Sequence, residues 1–485
     1  MTSPYPRRAL RGAATLIAAL SLLGDLSAEA KKGDLIDRIL PPEKAFPVSE
    51  HNATFESSKT YDLSSLIELS LANNPYTRSA WFNALASAAS VGEAKAPYYP
   101  QLGFTAKGGY DNGYNPIQTG PESYSRVSIN PGLELEYLLL DFGRRSSDVR
   151  RTVALLDAAN LTFSRRVQTT VFAVQQAYFA YVAALSQQLA AKANLELSRT
   201  ILAMVEAQVA NGLGTKPELD AARKTLAQAE FDTAAADRNT EVSLGNLRTA
   251  SGLQANAPLK VGTPSGKGDL QGISGNVDRL IDIAIAKRPD LAARSADIRA
   301  SRAAVERAKA DFMPKVSLVG GYSSETYGYS ANLAGVNGTF NGTYNHVGGF
   351  AVMSWDLFDG FLRVERVKKR QAEESEARAN AEATKLETTR DVWTAYNDSL
   401  KASKRVSFAD SLVVSAEENF NSAQAAFNNQ LLNITELISN QSALAAARFE
   451  QAGAQADYLT SLASLSLAMG QFSPPAGTKV KPASL

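Results

Sequence analysis

Residues 141–208 hold no proline, and Gly143, at their start, is their only glycine. Apolar side chains recur there at Val167, Val171, Val174, Tyr178, Tyr181 and Leu185, in alternating steps of four and three. That is the seam of a coiled coil. At 1.5 Å per residue such a helix is about 100 Å long, several times the width of a compact domain. It must pack against other long helices or stay unburied along most of its length. Residues 359–428 repeat the design, with Gly360 alone at the start, Leu386, Trp393 and Leu400 at sevens, and Tyr396 between them. The stretches are copies in one register: Asp141/Asp359, Tyr178/Tyr396, Asn211/Asn429, Leu213/Leu431, Glu218/Glu436 and Gly252/Gly470 all lie 218 apart. Spacing kept over so long a span is expected of helices stacked side by side in one wall.

Composition removes whole classes of function. Lys plus Arg is 50 and Asp plus Glu 49, a net charge of +1 with no basic excess for nucleic acid. The absence of cysteine excludes disulfides, thiol catalysis, zinc–thiolate sites and lipidation of an N-terminal cysteine. His51 and His346 are the only histidines and are far apart in sequence. No catalytic, cofactor or metal site is therefore expected, and the chain does not read as an enzyme.

Residues 1–30 read as a secretory signal: Arg7, Arg8 and Arg11, an apolar run over 12–23 too short to span a bilayer, and Ala28-Glu29-Ala30 for cleavage. Residues 31–60 look irregular. A first structural repeat covers 61–252, with Asp62 as N-cap of a helix at 63–73 and Pro75 opening the next, at 76–96. Its copy covers 277–470: Pro75/Pro289, Val91/Val305, Lys95/Lys309 and Pro100/Pro314 are each 214 apart. A linker at 253–276 joins the halves, and 471–485 forms a tail. With no later stretch apolar enough for a transmembrane helix, any membrane span must be made of strands.

After Pro100 and Pro314 the period changes to two. Leu102, Phe104 and Ala106 alternate with polar neighbours, as do Val127, Ile129, Leu133, Leu135, Tyr137 and Leu139. Asp111-Asn112-Gly113, Gly120-Pro121 and the Gly/Asn/Ser/Thr-rich stretch 327–344 read as turns or loop. This gives β-hairpins at about 101–139 and 315–357, with strands of about ten residues, long enough to cross a bilayer when tilted. Tyr98, Tyr99, Phe312, Tyr137, Trp355 and Phe358 gather near strand ends like an interfacial belt. A soluble sandwich is the alternative. Four strands, however, cannot close a barrel, and open edges cannot sit in lipid. Two copies give eight strands and a filled interior, three give twelve and a polar lumen. Return helices at about 217–251 and 434–469 are half as long as the helices at 141–208 and 359–428. Stacking 76–96 and 289–310 on them gives four helical columns per chain, and twelve in a trimer.

In this arrangement the chain resembles the TolC family of outer-membrane channel proteins. The resemblance rests on the repeat, the Asn74-Pro75 and Arg288-Pro289 helix starts and the prolines that open the strands. It rests also on the transitions at Tyr137–Gly143 and Trp355–Gly360, and on Asn211-Gly-Leu-Gly-Thr215 followed by Glu218-Leu219. It implies an α+β membrane protein, a homotrimer with a twelve-stranded β-barrel in the outer membrane of a Gram-negative bacterium. A twelve-helix α-barrel would continue it across the periplasm. It implies a passive exit duct for efflux or type I secretion, docked to a periplasmic adaptor and an inner-membrane ABC, RND or MFS transporter. Gly212, Leu213, Gly214 and Leu431 resemble the adaptor-contacting tips, although Gly212 also fits a plain helix C-cap. Glu436 falls where the family has an acid lining the periplasmic aperture, with Glu218 as its repeat partner, although both also fit helix-start carboxylates favoured by the dipole. Where some members carry a second acid one turn on, this chain has Ser439 and Asn440. The competing class is a periplasmic coiled-coil adaptor or scaffold, which also carries helical hairpins.

Overall fold

The computed structural model describes residues 55–117, 120–262, 276–333, 336–429 and 431–471. The expected signal, most of the linker, and all but residue 471 of the tail lie outside them. The chain divides into a unit Met1–Glu56 and a unit Ser57–Leu485, and the second holds every helix and strand among the described residues. In order it runs β1 (Thr60–Tyr61), α1 (Leu63–Asn73), α2 (Pro75–Lys95), β2 (Gln101–Ile117), β3 (Gly120–Leu140), α3 (Arg144–Ala210) and α4 (Lys216–Ala250). The second half is β4 (Lys260–Val261), α5 (Val277–Lys287), α6 (Pro289–Ala310), β5 (Lys315–Leu333), β6 (Val336–Ser354), α7 (Leu362–Asn428) and α8 (Ile434–Ala468). This is an α+β fold.

Local chemistry fixes the helix ends. Asp62 accepts from the backbone N–H of Ser65 at 2.9 Å, and Asn74 from that of Tyr76 at 2.9 Å with Pro75 in the first helical position. The paired long helices α3 and α7 each have 67 residues, α4 and α8 each 35. Their seams are built on small side chains: Ala184, Ala191 and Ser198 on α3, Ala222, Ala229 and Ala236 on α4, and Ala395, Ser399, Ala402, Val406 and Ala409 on α7 are all buried. Small seam residues let the helix axes approach closely.

Two expectations need correction. The strands are 17, 21, 19 and 19 residues long rather than about ten. Asp111-Asn112-Gly113 and nearly all of 327–344 lie inside paired strands, because continuous antiparallel ladders satisfy the backbone of these turn-like residues along both hairpins. Secondly, Leu386 and Trp393 are 73% and 55% exposed, so they do not form α7's seam within this chain. The buried seam is Val392, Ala395, Ser399 and Ala402 instead, displaced around the helix from the apolar stripe. On α3, Val167, Val171, Val174 and Tyr178 are buried as their spacing predicts.

The sheet order is β2-β3-β5-β6, with β3 and β5 antiparallel neighbours across the two halves. The helices follow the same order. Near the strands, α2, α3, α6 and α7 pack in that sequence; near the tips it is α4, α3, α8 and α7. Sheet and helical wall therefore end on the same two sides, with β2 and α2/α4 at one edge and β6 and α7 at the other.

Candidate gate, tips and membrane collar

The two helical tips share a backbone plan. At the first, the N–H of Gly212 donates to Val209 at 3.0 Å and that of Leu213 to Gln208 at 2.8 Å, a Schellman ending with Gly212 at φ +71°. At the second, Leu431 N–H donates to Ala426 at 2.9 Å, the equivalent bond. Both turns lift a leucine away from the wall: Leu213 is 73% and Leu431 80% exposed. Gly214 is required by space, since a Cβ there would lie 2.9 Å from Val209 Cγ2. Beneath the tips Ile201, Val205, Phe420, Phe427, Ile434 and Leu437 form one core, which Leu219 and Leu432 flank.

The paired acids behave differently. Glu218 accepts at Oε2 from both the backbone N–H and the hydroxyl of Thr215, at 2.7 and 2.8 Å. Those bonds hold its carboxyl below the ordinary range. At the second tip Asn433 caps the helix instead, its Oδ1 accepting from the backbone N–H of Glu436 at 2.9 Å. The Glu436 side chain is exposed and, among the described residues, its carboxylate has no hydrogen-bond or ion-pair partner.

The aromatic residues surround the strand-to-helix transitions. Tyr98 lies in the turn Ala96–Tyr98, Tyr99 follows it, and Phe312 follows α6. Tyr137 is half-buried on β3, whereas Trp355 and Phe358 fall past the end of β6. The Trp355 indole N–H donates to the Phe312 carbonyl at 3.0 Å.

Sequence reasoning missed what holds this collar. Asp141 and Arg145 pair at 3.0 Å, and Asp359 and Arg363 at 2.7 Å, the same i,i+4 bridge in each half. Each guanidinium then covers an aromatic ring, Arg145 at 4.6 Å from the Tyr98 centroid and Arg363 at 5.1 Å from that of Phe312. Arg145 also donates to the carbonyl of Pro97 in the turn before β2 and to those of Leu138 and Leu139 at the end of β3. Two successive left-handed residues make each turn, Phe142 and Gly143 in one half and Gly360 and Phe361 in the other. Phe142, at φ +51°, and Phe361, at φ +70°, remain exposed. The 218-residue spacing of both Asp–Arg pairs was a legible signal; the left-handed phenylalanines left none, because Phe and Gly exchange places between the halves.

Midway down the wall, Arg288 is buried, pairing with Asp290 at 2.6 Å and Asp391 at 3.1 Å, and Arg165 approaches Asp290 at 3.8 Å. Burial pushes the Asp290 carboxyl up, but the hydrogen bonds and charge of Arg288 outweigh it and leave the carboxyl below its ordinary range. Among the described residues no three His, Asp or Glu side chains gather as a metal site, and no helix is long and apolar enough to cross a membrane.

The family model for outer membrane efflux proteins matches residues 66–253 and 280–471. Protein CyaE of Bordetella pertussis is 26% identical over 332 residues, 68% of this chain and 68% of its own. The pyoverdine export outer membrane protein OpmQ of Pseudomonas aeruginosa is 24% identical over 374 residues, 76% of this chain and 74% of its own. In fold, the CmeC outer membrane channel of Campylobacter jejuni matches with a TM-score of 0.71 at 17% identity, over 84% of this chain and 85% of that one.

Proposed function

The chain belongs to the outer membrane efflux protein family, and from that membership we propose how it conducts: three copies close one continuous tube through the outer membrane and the periplasm. It is an outer-membrane exit duct of a tripartite export system. The family's members are channels, not enzymes, and the scaffold alternative gives way to the family match.

The observation that carries the trimer is the shared pair of open edges. Beyond β2 and β6 the four-stranded sheet has no further strand among the described residues, although paired strands are the only way sheet edges enter lipid. At the β6 edge, α7 bears Leu386, Trp393 and Leu400 at sevens and, past Ser407, Val414 in the same register; all four apolar residues are exposed. A second seam of that kind needs a second helix. The α2/α4 edge of a neighbouring copy is the occupant, just as its β2 is for β6. Three copies give twelve strands and a polar bore lined by Glu134, Glu136 and Glu325, while Leu102, Phe104, Leu133 and Leu135 meet lipid.

At the far end Leu213 and Leu431 offer apolar anchors to a periplasmic adaptor, flanked by turns whose backbone stands clear. Three Glu436 carboxylates, free of capping, form a ring at the aperture that favours cations. An inner-membrane transporter supplies the energy, and the duct itself is passive. The collar of Tyr98, Tyr99, Phe142, Trp355, Phe358 and Phe361 sits at the periplasmic face of the bilayer.

The test is the mass of the detergent-purified protein, with Trp393→Glu as the variant. A trimer that the variant dissociates supports the seam; a stable wild-type monomer sinks the closed tube. Bilayer recording of the wild type should then show a steady conductance.

A further inference from the structure

On the polar face of the sheet, near the hairpin turns, tyrosine rings lie flat across the strands. The register sets the face: Arg126 stands opposite Tyr329, Ser128 opposite Tyr327, and Glu325 opposite Tyr344. Val127, Ile129 and Tyr322 fall on the other face. The rings of Tyr124 and Tyr329 stack with centroids 5.7 Å apart and planes inclined by 21°. The Arg126 guanidinium lies 5.2 Å from the centre of the Tyr327 ring and pairs with Glu325.

Glycines make the flat posture possible. A Cβ at Gly113 would come within 2.6 Å of the Tyr124 hydroxyl, and one at Gly342 within 2.9 Å of that of Tyr327. Each ring therefore covers bare backbone on the neighbouring strand. Arg126, Glu325, Tyr327, Tyr329 and Tyr344 bound an open trough of about 540 Å³. Aromatic residues of a membrane barrel ordinarily gather on its lipid face. Tyr110 and Tyr114 occupy that face here, so lipid does not account for rings on the opposite one. The trough itself is neutral, because Arg126 pairs with Glu325; Asp111, accepting from the Tyr124 hydroxyl at 3.3 Å, and Lys107 stand on the same face and balance each other. The rings select the ligand: electron-rich aromatic faces bind planar aromatic cations, and Tyr327 already holds a guanidinium.

We propose that this tyrosine trough is a transient binding site for planar aromatic cations, at the end of the bore farthest from the helices. It rests on the reading that the polar face lines the bore. Ethidium serves as the probe, added to the hairpin-turn side of the trimer in a planar bilayer, with N-methylglucamine as a cation lacking a ring. Ethidium is expected to block the current with a saturable dose dependence and N-methylglucamine to leave it open. Replacing both Tyr327→Leu and Tyr329→Leu raises the half-blocking concentration about 10-fold, at two- to five-fold per ring. Tyr327→Phe with Tyr329→Phe keeps the block, as does Tyr322→Leu on the other face. A conducting trimer whose ethidium block is absent, unchanged by the leucine pair, or matched by N-methylglucamine overturns the site and leaves the duct standing. A wild-type protein that does not conduct overturns the duct itself.

Discussion

Glu218 and Glu436 occupy equivalent places in the two halves, yet one caps its own helix and the other does not. Thr215 occupies the first carboxylate, whereas Asn433 takes over capping and releases the second into solvent. The same division separates the two mid-wall junctions. In the first half, Asn74 caps α2 with a neutral amide, and the Ser70 hydroxyl donates to the Ala250 carbonyl at 2.8 Å. In the second, the equivalent Arg288 is clamped by two carboxylates. The strand-to-helix transitions, by contrast, keep the same Asp–Arg–aromatic device in both halves. Duplication preserves what both halves need to turn a strand into a helix. It lets the charges diverge where only one half has to carry a given electrostatic role.

The junctions offer the largest contrast. Arg288→Ala leaves Asp290 to Arg165 and Asp391 to Arg390 and costs about 2 kcal/mol, less than a fully buried pair because both carboxylates reach solvent; Asn74→Ala costs only about 1 kcal/mol, the value of a cap. Denaturant unfolding of the two variants reads the difference, and equal losses would break the comparison. Next are the tips. Gly214→Ala forces a methyl against Val209 and costs about 1–2 kcal/mol, whereas its counterpart Leu432→Ala empties part of the tip core at a similar cost. A larger side chain welcomed at Gly214 would show that the turns are interchangeable.

The paired acids sharpen the contrast with opposite readouts. Glu218→Ala removes a capping bond and costs about 1 kcal/mol of stability while leaving ion selectivity unchanged. Glu436→Ala leaves stability nearly unchanged and shifts the reversal potential toward lower cation preference in a salt gradient. The smallest effect is one of pH. The folded Asp290 carboxyl lies below its ordinary range, so its stabilisation is complete above about pH 4. It is lost as pH falls through the depressed folded value. Acid titration followed by unfolding should show this loss in the wild type and not in Asp290→Asn, and the Asn74 junction should contribute none of it.

Much of the fold was legible because long helices announce themselves by period. The four-three spacing of Val167, Val171, Val174 and Tyr178 marks residues that are buried in α3, and the 218-residue register pairs α3 with α7 and α4 with α8. The strands were readable in position but not in extent. Gly, Asn and Ser break isolated strands, whereas here each sits opposite a partner, such as Tyr124 over Gly113, that makes the ladder worth continuing. Of the candidate site residues, Leu213 and Leu431 stand exposed at the turns. The division of labour between Glu218 and Glu436 was hidden, because a carboxylate at the third helical position reads the same whether Thr or Asn precedes it.

The sequence alone determined that two halves of one design exist, that each carries a hairpin of strands and a hairpin of helices, and that no lone sheet of four strands could close. Periodicity and repeat spacing are properties of the chain itself, so they survive without coordinates. Only the tertiary structure decided which of α7's two heptad stripes is filled. Val392, Ala395 and Ser399 are buried by their own chain, whereas Leu386 and Trp393 stay mostly exposed and Leu400 is partly covered. Both stripes repeat in heptads, and the buried one is the less apolar of the two, so apolar character did not mark it. A helix has no preferred side until its neighbours are placed, and that placement depends on contacts between residues hundreds of positions apart.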